Sequence, residues 1–263
     1  MRFNNLNNSV SNIEDCLSDF SSISLAELEN YELLNRYDIK YIININKLPL
    51  VLKLLQSNYY ILQICDKRIF SYNNLYFDTQ DYYFYNQHHN GKSNRTKVRY
   101  REYIESGISF FEIKNKINFY KTAKNRIRIN NISDHLSSHD KDFIKTHLNV
   151  NPELLTPKLS VSYKRMTLLH INEKIEKITI DTNLNFKNES NTIKYSQIAI
   201  IEIKLNKYTH FTPLLDSFHR LKIFAGIGFS KYCIGLALTD RNVKYNRFKP
   251  KLHIVNKLID INE

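Results

Sequence analysis

Between residues 94 and 129 the chain reads NRTKVRYREYIESGISFFEIKNKINFYKTAKNRIRI, and ionisable residues recur at every second position. Lys97, Arg99 and Arg101 form one series, Glu112, Lys114 and Lys116 a second, and Lys124, Arg126 and Arg128 a third. A period of two is that of a β-strand, whose side chains alternate between faces. Val98 and Tyr100, Phe111 and Ile113, and Ile127 and Ile129 take the opposite positions. The stretch is therefore predicted to form three short strands joined by turns, apolar on one side and cationic on the other, with a carboxylate among the cations. A wet face on an antiparallel sheet would explain any single strand. Three neighbours of one sign ask for more, because two unit charges ~6 Å apart repel by about 3 kcal/mol at an effective dielectric of ~20. Such a face favours a bound polyanion. Arginine forks, lysine point charges and a carboxylate-held divalent ion are groups that hold phosphate chains.

The same division recurs along the chain. Arg36, Asp38 and Lys40 alternate with Tyr37, Ile39 and Tyr41. Tyr163 and Arg165 share a face in LSVSYKRMTLL, residues 159–169, and Thr179 and Asp181 alternate with Ile178 and Ile180. Glu202 and Lys204 share a face in IAIIEIKL, residues 198–205, which echoes the FEIK of 111–114. Between these strands lie helical signals. Ile13, Cys16, Leu17 and Phe20 follow helical spacing, and Ser24 with Glu27 makes a capping box for a second short helix. Leu48, Val51, Leu52 and Leu55 predict a helix that tolerates Pro49 in its first turn. Residues 71–77 read as a strand, 81–85 as the start of a short aromatic-rich element, and His88-His89-Asn90-Gly91 as a turn. Two adjacent histidines point apart on any regular element, which does not suit a shared metal. Helical patterns follow over 133–155 and 211–225, and the basic tail RFKPKLHIVNKLID, residues 247–260, finishes as a helix.

Composition bounds the partner. The 263 residues are 42% hydrophobic, enough for a core, and suit one large domain or two small ones; 5 Gly and 5 Pro exclude long flexible linkers. A net charge of +12 points to an anionic partner: nucleic acid, polyphosphate, nucleotide or an acidic membrane surface. Cys16, Cys65 and Cys233 are odd in number and far apart, which suits a reducing cytosol rather than a disulfide framework or a zinc motif. MRFNNLNNSV lacks the apolar core of a signal peptide, and no apolar run reaches the ~18 residues of a membrane span. The expectation is a soluble, cytoplasmic protein, attached to a bilayer peripherally at most. A nucleic-acid module would set aromatics beside its cations; here most aromatics share the apolar faces, so no nucleic-acid partner is expected.

If the strands form one antiparallel sheet closed on itself, the charged faces line its lumen and the apolar faces pack outward against helices. RYDIKY, YFDT, HHNGKSNRTKVRYREY, FFEIKNK, KTAKNRI, YKRM, TIDTN, IIEIKL and FSKY stand in the order seen in the VTC domain. The sequence resembles that family, a branch of the triphosphate tunnel metalloenzymes that also include the CYTH hydrolases, from about residue 23 to residue 250. The resemblance implies an α+β fold, a closed antiparallel β-barrel tunnel with flanking helices, over residues 31–263, preceded by a polar segment and lead-in helices in 1–30. It also implies an ATP-dependent polyphosphate polymerase using a divalent metal, Mn2+ or Mg2+. Phosphate-binding roles would fall to Lys40, Arg99, Arg101, Lys114, Lys124, Arg126, Arg165, Lys204, Ser230 and Lys231. Glu202 would be the metal carboxylate, and Glu112, in the parallel E-I-K strand, a second choice. Asp38 stands where a glutamate is expected, and Arg36 where hydrolases of the wider superfamily have the first glutamate of ExExK.

That difference bears on the reaction. A hydrolase must activate water, which calls for carboxylates, whereas the terminal phosphate of a growing chain is already anionic and needs cations to bring it in line with a second polyanion. A lining rich in Lys and Arg therefore favours transfer from ATP to polyphosphate. The rival readings are a metal-dependent tripolyphosphatase or nucleoside triphosphatase, and a non-catalytic domain that binds polyphosphate or inositol polyphosphate. Export of a polymer would require a separate membrane protein partner.

Overall fold

The computed structural model describes residues 12–31, 37–117, 121–171, 176–206, 212–223 and 228–260. Arg36 and the ends of the predicted 211–225 helix lie outside the described residues. In chain order the elements are α1 (Ile13–Ser18), β1 (Ser22–Ile23), α2 (Leu25–Glu29), β2 (Tyr37–Asn44), α3 (Leu48–Leu55), β3 (Tyr59–Leu62), β4 (Phe70–Asp78), α4 (Tyr83–His89) and β5 (Arg95–Tyr103). There follow β6 (Ile108–Ile117), β7 (Lys121–Ile129), α5 (Ser138–His147), β8 (Thr156–His170), β9 (Glu176–Lys187), β10 (Thr192–Tyr195), β11 (Ile198–Leu205), α6 (Pro213–Arg220), α7 (Lys231–Thr239) and α8 (Lys249–Asp260).

Local chemistry sets many of these boundaries. At the start of α2, Ser24 and Glu27 form the expected reciprocal box, Ser24 N donating to Glu27 Oε2 at 2.9 Å and Glu27 N to Ser24 Oγ at 3.2 Å. Ser137 and Asp140 do the same for α5, and Pro49 sits in the first turn of α3, where its missing N–H costs nothing. The His88-His89 pair, predicted as a turn, belongs to the last turn of α4, and the turn itself begins at Asn90. Four elements carried no usable signal. β1 is two residues long, β3 and β10 four each, and α7 is apolar all round, so it shows no amphipathic period.

Hydrogen bonds order the strands β2-β11-β9-β8-β4-β5-β6-β7, with β10 on β9 and with β3, itself paired to β1, on β8. The pairs β4–β5, β4–β8, β5–β6, β6–β7, β3–β8 and β9–β10 are antiparallel, and β1–β3 is parallel. The fold is α+β, rich in antiparallel sheet, with flanking helices. The closed barrel expected above is not made by hydrogen bonds: among the described residues β2 and β7 stand at the two ends of the order. β7 exposes Lys124, Arg126 and Arg128, and a strand studded with cations resists edge pairing.

The chain divides into two compact units, each assembled from three stretches. One comprises Met1–Arg68, Met166–Ile180 and Ala199–Ile227. Within it α3 packs on α6, and Tyr41 of β2 meets Phe218 of α6 edge-on at 4.5 Å. The other comprises Ile69–Arg165, Asp181–Ile198 and Gly228–Glu263. Its core, on one face of β4–β5–β6, is Phe77, Val98, Tyr100, Phe111 and Ile113 with Phe84 of α4 and Ile144 of α5. Burying these side chains contributes about 1.5–3 kcal/mol each and turns the alternate face of the same strands toward the site.

Candidate functional site: three cation–carboxylate clusters

Antiparallel register puts residues directly opposite each other within about 5 Å. Across β5, β6 and β7 it aligns Arg99 with Glu112 and Glu112 with Arg126, and in the next row of that face Lys97 with Lys114 and Lys114 with Lys124. β4 adds Asn74 opposite Arg101 and Tyr76 opposite Arg99. Glu112, 1% exposed, is the focus. Its Oε2 accepts from Arg99 Nε at 2.9 Å and Nη2 at 2.6 Å, with Arg101 Nε at 3.7 Å, and its Oε1 lies 2.6 Å from Lys124 Nζ. Burial alone would raise its pKa, but Arg99, Arg101 and Lys124 reverse this and hold the carboxyl well below its ordinary range. Burial, with the neighbouring Arg101 and Arg99, lowers the Lys124 ammonium although Glu112 opposes it.

A second cluster in the same unit centres on Asp181. Arg165 donates Nε to Oδ1 at 2.6 Å and Nη2 to Oδ2 at 2.8 Å, and Lys231 Nζ donates to Oδ2. Burial opposes the charge on Asp181, yet Arg165 and Lys231 hold its pKa far below normal. Under these cations lies an aromatic layer. Tyr72 stacks on Tyr163 at 5.2 Å and 7°, with Arg165 5.1 Å from the Tyr72 ring, Arg101 5.8 Å from it, and Lys231 4.5 Å from the Tyr163 ring. Tyr72 thus touches cations of both clusters. Burial favours a neutral Tyr163 phenol, but Arg101, Arg165 and Lys231 outweigh it and bring the pKa down to about 8, a measure of the positive potential at this face.

Lys231 is positioned by α7. Ser230 caps that helix, its Oγ accepting from Cys233 N at 3.3 Å, and Tyr232 donates its hydroxyl to Asp78. Asp78 also accepts the backbone N–H groups of Thr79, Phe84 and Tyr85, which ties α7 to the start of α4. Gly235 lets α7 lie close, because a Cβ there would collide with Phe186 and approach Leu159 to 2.8 Å.

The third cluster belongs to the other unit. Lys40 Nζ pairs with Glu202 Oε1, and Lys204 Nζ lies 3.7 Å from Glu202 Oε2; all three side chains are partly buried. Of the remaining expected residues, Lys114 is half-buried, Arg126 is exposed with its guanidinium 4.6 Å from the Phe110 ring, and Asp38 is exposed. Sequence reading missed Tyr72, Asn74 and Tyr76 as members of the cationic face. Their i, i+2 spacing in SYNNLYF was the available signal. On the reverse face of these strands a groove of about 1100 Å³ is lined by Glu102, Asp134, Glu153 and Glu189 as well as Lys141, Lys158 and Lys187, a mixture unsuited to a polyanion.

The model of the VTC domain matches residues 35–239, more than three-quarters of the chain. The chain belongs to the VTC domain family. No curated protein matches this VTC chain. Among solved structures it is similar to a putative adenylyl cyclase from Hippeastrum, described as having a dominant triphosphatase activity, at 12% identity and TM-score 0.47, over 78% of this chain and 97% of that one. The PH1819 protein of Pyrococcus horikoshii OT3 is similar at 13% identity and TM-score 0.43, over 77% and 99%. No helix of the described residues is long and apolar enough to cross a membrane.

Among the described residues no three His, Cys, Asp or Glu side chains converge as a metal cage. A single carboxylate fits a divalent ion that completes its shell with phosphate and water oxygens. Both candidate carboxylates are already engaged by cations, Glu202 by Lys40 and Lys204 and Glu112 by Arg99 and Lys124.

Proposed function

We propose that this VTC chain is a polyphosphate polymerase, transferring the γ-phosphate of ATP to the end of an inorganic polyphosphate chain. The observation that carries the reading is the cation excess around each carboxylate: three cations on Glu112, and two each on Asp181 and Glu202. Carboxylates so engaged are poor bases for activating water, which speaks for transfer over hydrolysis. A terminal phosphate oxygen of the acceptor chain attacks the γ-phosphorus, the bond from that phosphorus to the β,γ-bridging oxygen breaks, and ADP leaves with the electron pair. No protein base is required, because the attacking oxygen is already ionised.

The protein's part is to hold two mutually repelling polyanions in line and to stabilise the charge spread over the transferred group. In one unit Arg99, Arg101 and Arg165 supply forked donors and Lys114, Lys124 and Lys231 supply point charge, and in the other Lys40 and Lys204 supply point charge. A divalent ion bound through Glu202 would neutralise phosphate oxygens. The enclosed tunnel implied by the family resemblance is part of this reading.

Purified protein incubated with ATP and Mn2+ should yield ADP and a polymer ladder resistant to phosphomonoesterase, and Lys40→Ala or Arg165→Ala should abolish both products. Orthophosphate without polymer would make the protein a triphosphatase. Tight, salt-sensitive binding with ATP left intact would make it a binding domain.

A further inference from the structure

The cationic face does not end at Lys97. In the β5–β6 register Arg95 stands opposite Lys116, two rows beyond Arg99 and Glu112. From Arg101 to Arg95 the strand runs about 20 Å at ~3.3 Å per residue, longer than a triphosphate. The segment 241–259 carries Arg241, Lys244, Arg247, Lys249, Lys251 and Lys257 and no Asp or Glu. This segment follows the last residue matched by the family model.

Phe248 fixes the segment in place, its ring 5.8 Å from Tyr85, 6.0 Å from His88 and 5.5 Å from His89. Two of its cations reach this region, Arg247 at Gly91, four residues before Arg95, and Lys251 within electrostatic range of Arg95. Arg247 covers Gly91, which has φ +71°, and a Cβ there would collide with the guanidinium. Lys251, one helical turn on, donates Nζ to Gly228 O at 2.5 Å. Burial first, and then the cations Lys97, Arg95, Lys251 and Lys116, lower the pKa of His88 to about 3, so the imidazole adds no charge of its own.

We propose that Arg95 and Lys116 with Arg247 and Lys251 form a second polyanion-binding surface, which holds phosphates of a chain beyond those gripped around Arg99 and Glu112. The inference rests on the reading of the sheet face as a phosphate-chain site. It makes affinity depend on chain length and gives the C-terminal segment a role in retaining a growing polymer.

The test is a calorimetric titration with inorganic tripolyphosphate and with long-chain polyphosphate, without metal or nucleotide, at several salt concentrations. The Arg247→Gln/Lys251→Gln double variant should bind the long chain about 10-fold more weakly, and its salt slope should fall by about 1 to 2. Tripolyphosphate affinity should stay within about twofold, since on this reading it contacts neither residue. The slope matters because a long chain also gains affinity from its many binding registers, which leave the slope unchanged. Arg95→Gln alters the same surface from the strand side, and should act in the same direction should loss of the Lys251 contact unsettle α8. Equal weakening for both ligands, or for neither, overturns the proposal. Absence of ATP turnover by the unmodified protein, with length-dependent binding present, would overturn the polymerase reading alone.

Discussion

Arg165 grips Asp181 through two hydrogen bonds, Nε to Oδ1 at 2.6 Å and Nη2 to Oδ2 at 2.8 Å, and Lys231 closes on the same carboxylate. Asp181 is thus the internal counter-charge that keeps two cations compatible with burial in the absence of a ligand.

Removing that charge should trade stability for affinity. Asp181→Asn keeps the shape but leaves Arg165 and Lys231 with an amide, at a cost of about 3 kcal/mol. Tripolyphosphate should raise the melting temperature of the variant by more than it raises that of the parent. An equal rise in both would mean that the anion does not bind at this cluster.

Tyr163 offers a spectroscopic probe of the same face. With its pKa brought to about 8, the near-ultraviolet phenolate signal should include one group titrating near pH 8, absent in Tyr163→Phe. Tripolyphosphate should shift that titration upward by about one unit by neutralising the cations that depress it. An unmoved titration would place the anion elsewhere.

Stability should depend on pH in two opposite windows. Glu112 and Asp181 have folded-state pKa values below their unfolded ones, so their contribution is present above the ordinary carboxylate range and fades as the pH falls below about 4. Glu176, fully buried, accepts from Tyr59 Oη at 2.7 Å and from Thr212 Oγ1 at 3.3 Å, and burial pushes its pKa up to about 7. Its contribution is full below about pH 4.5 and lost as the pH rises through 7. Glu176→Gln should remove that loss, leaving the variant up to about 3 kcal/mol more stable than the parent at pH 8 in chemical denaturation. Parallel pH profiles would refute the assignment.

Gly235 should not tolerate a side chain. Gly235→Ala drives a methyl into Phe186 and Leu159 and should cost about 1–3 kcal/mol. The displaced α7 carries Lys231, so tripolyphosphate binding should weaken as well. A variant with unchanged melting and binding would show that α7 can move without loss.

The alternation of Lys97, Arg99 and Arg101 against Val98 and Tyr100 was enough to place a cationic face opposite an apolar one. The Ser24–Glu27 box and Pro49 were enough to start two helices, because period and capping are properties of neighbouring residues. That Glu112 lies between Arg99 and Lys124, and that Asp181 bridges Arg165 and Lys231, are matters of register between strands and of where α7 lands. So is the lining of the face by Tyr72 and Tyr76, since alternation assigns sides within one strand but does not match sides across two. The open hydrogen-bond order, with β2 and β7 at its ends, likewise lay beyond any local pattern. Sequence fixes which side chains share a side of each strand through the pleat of the backbone. Only long-range pairing and packing decide which of those sides meet, and therefore which charges must share a site.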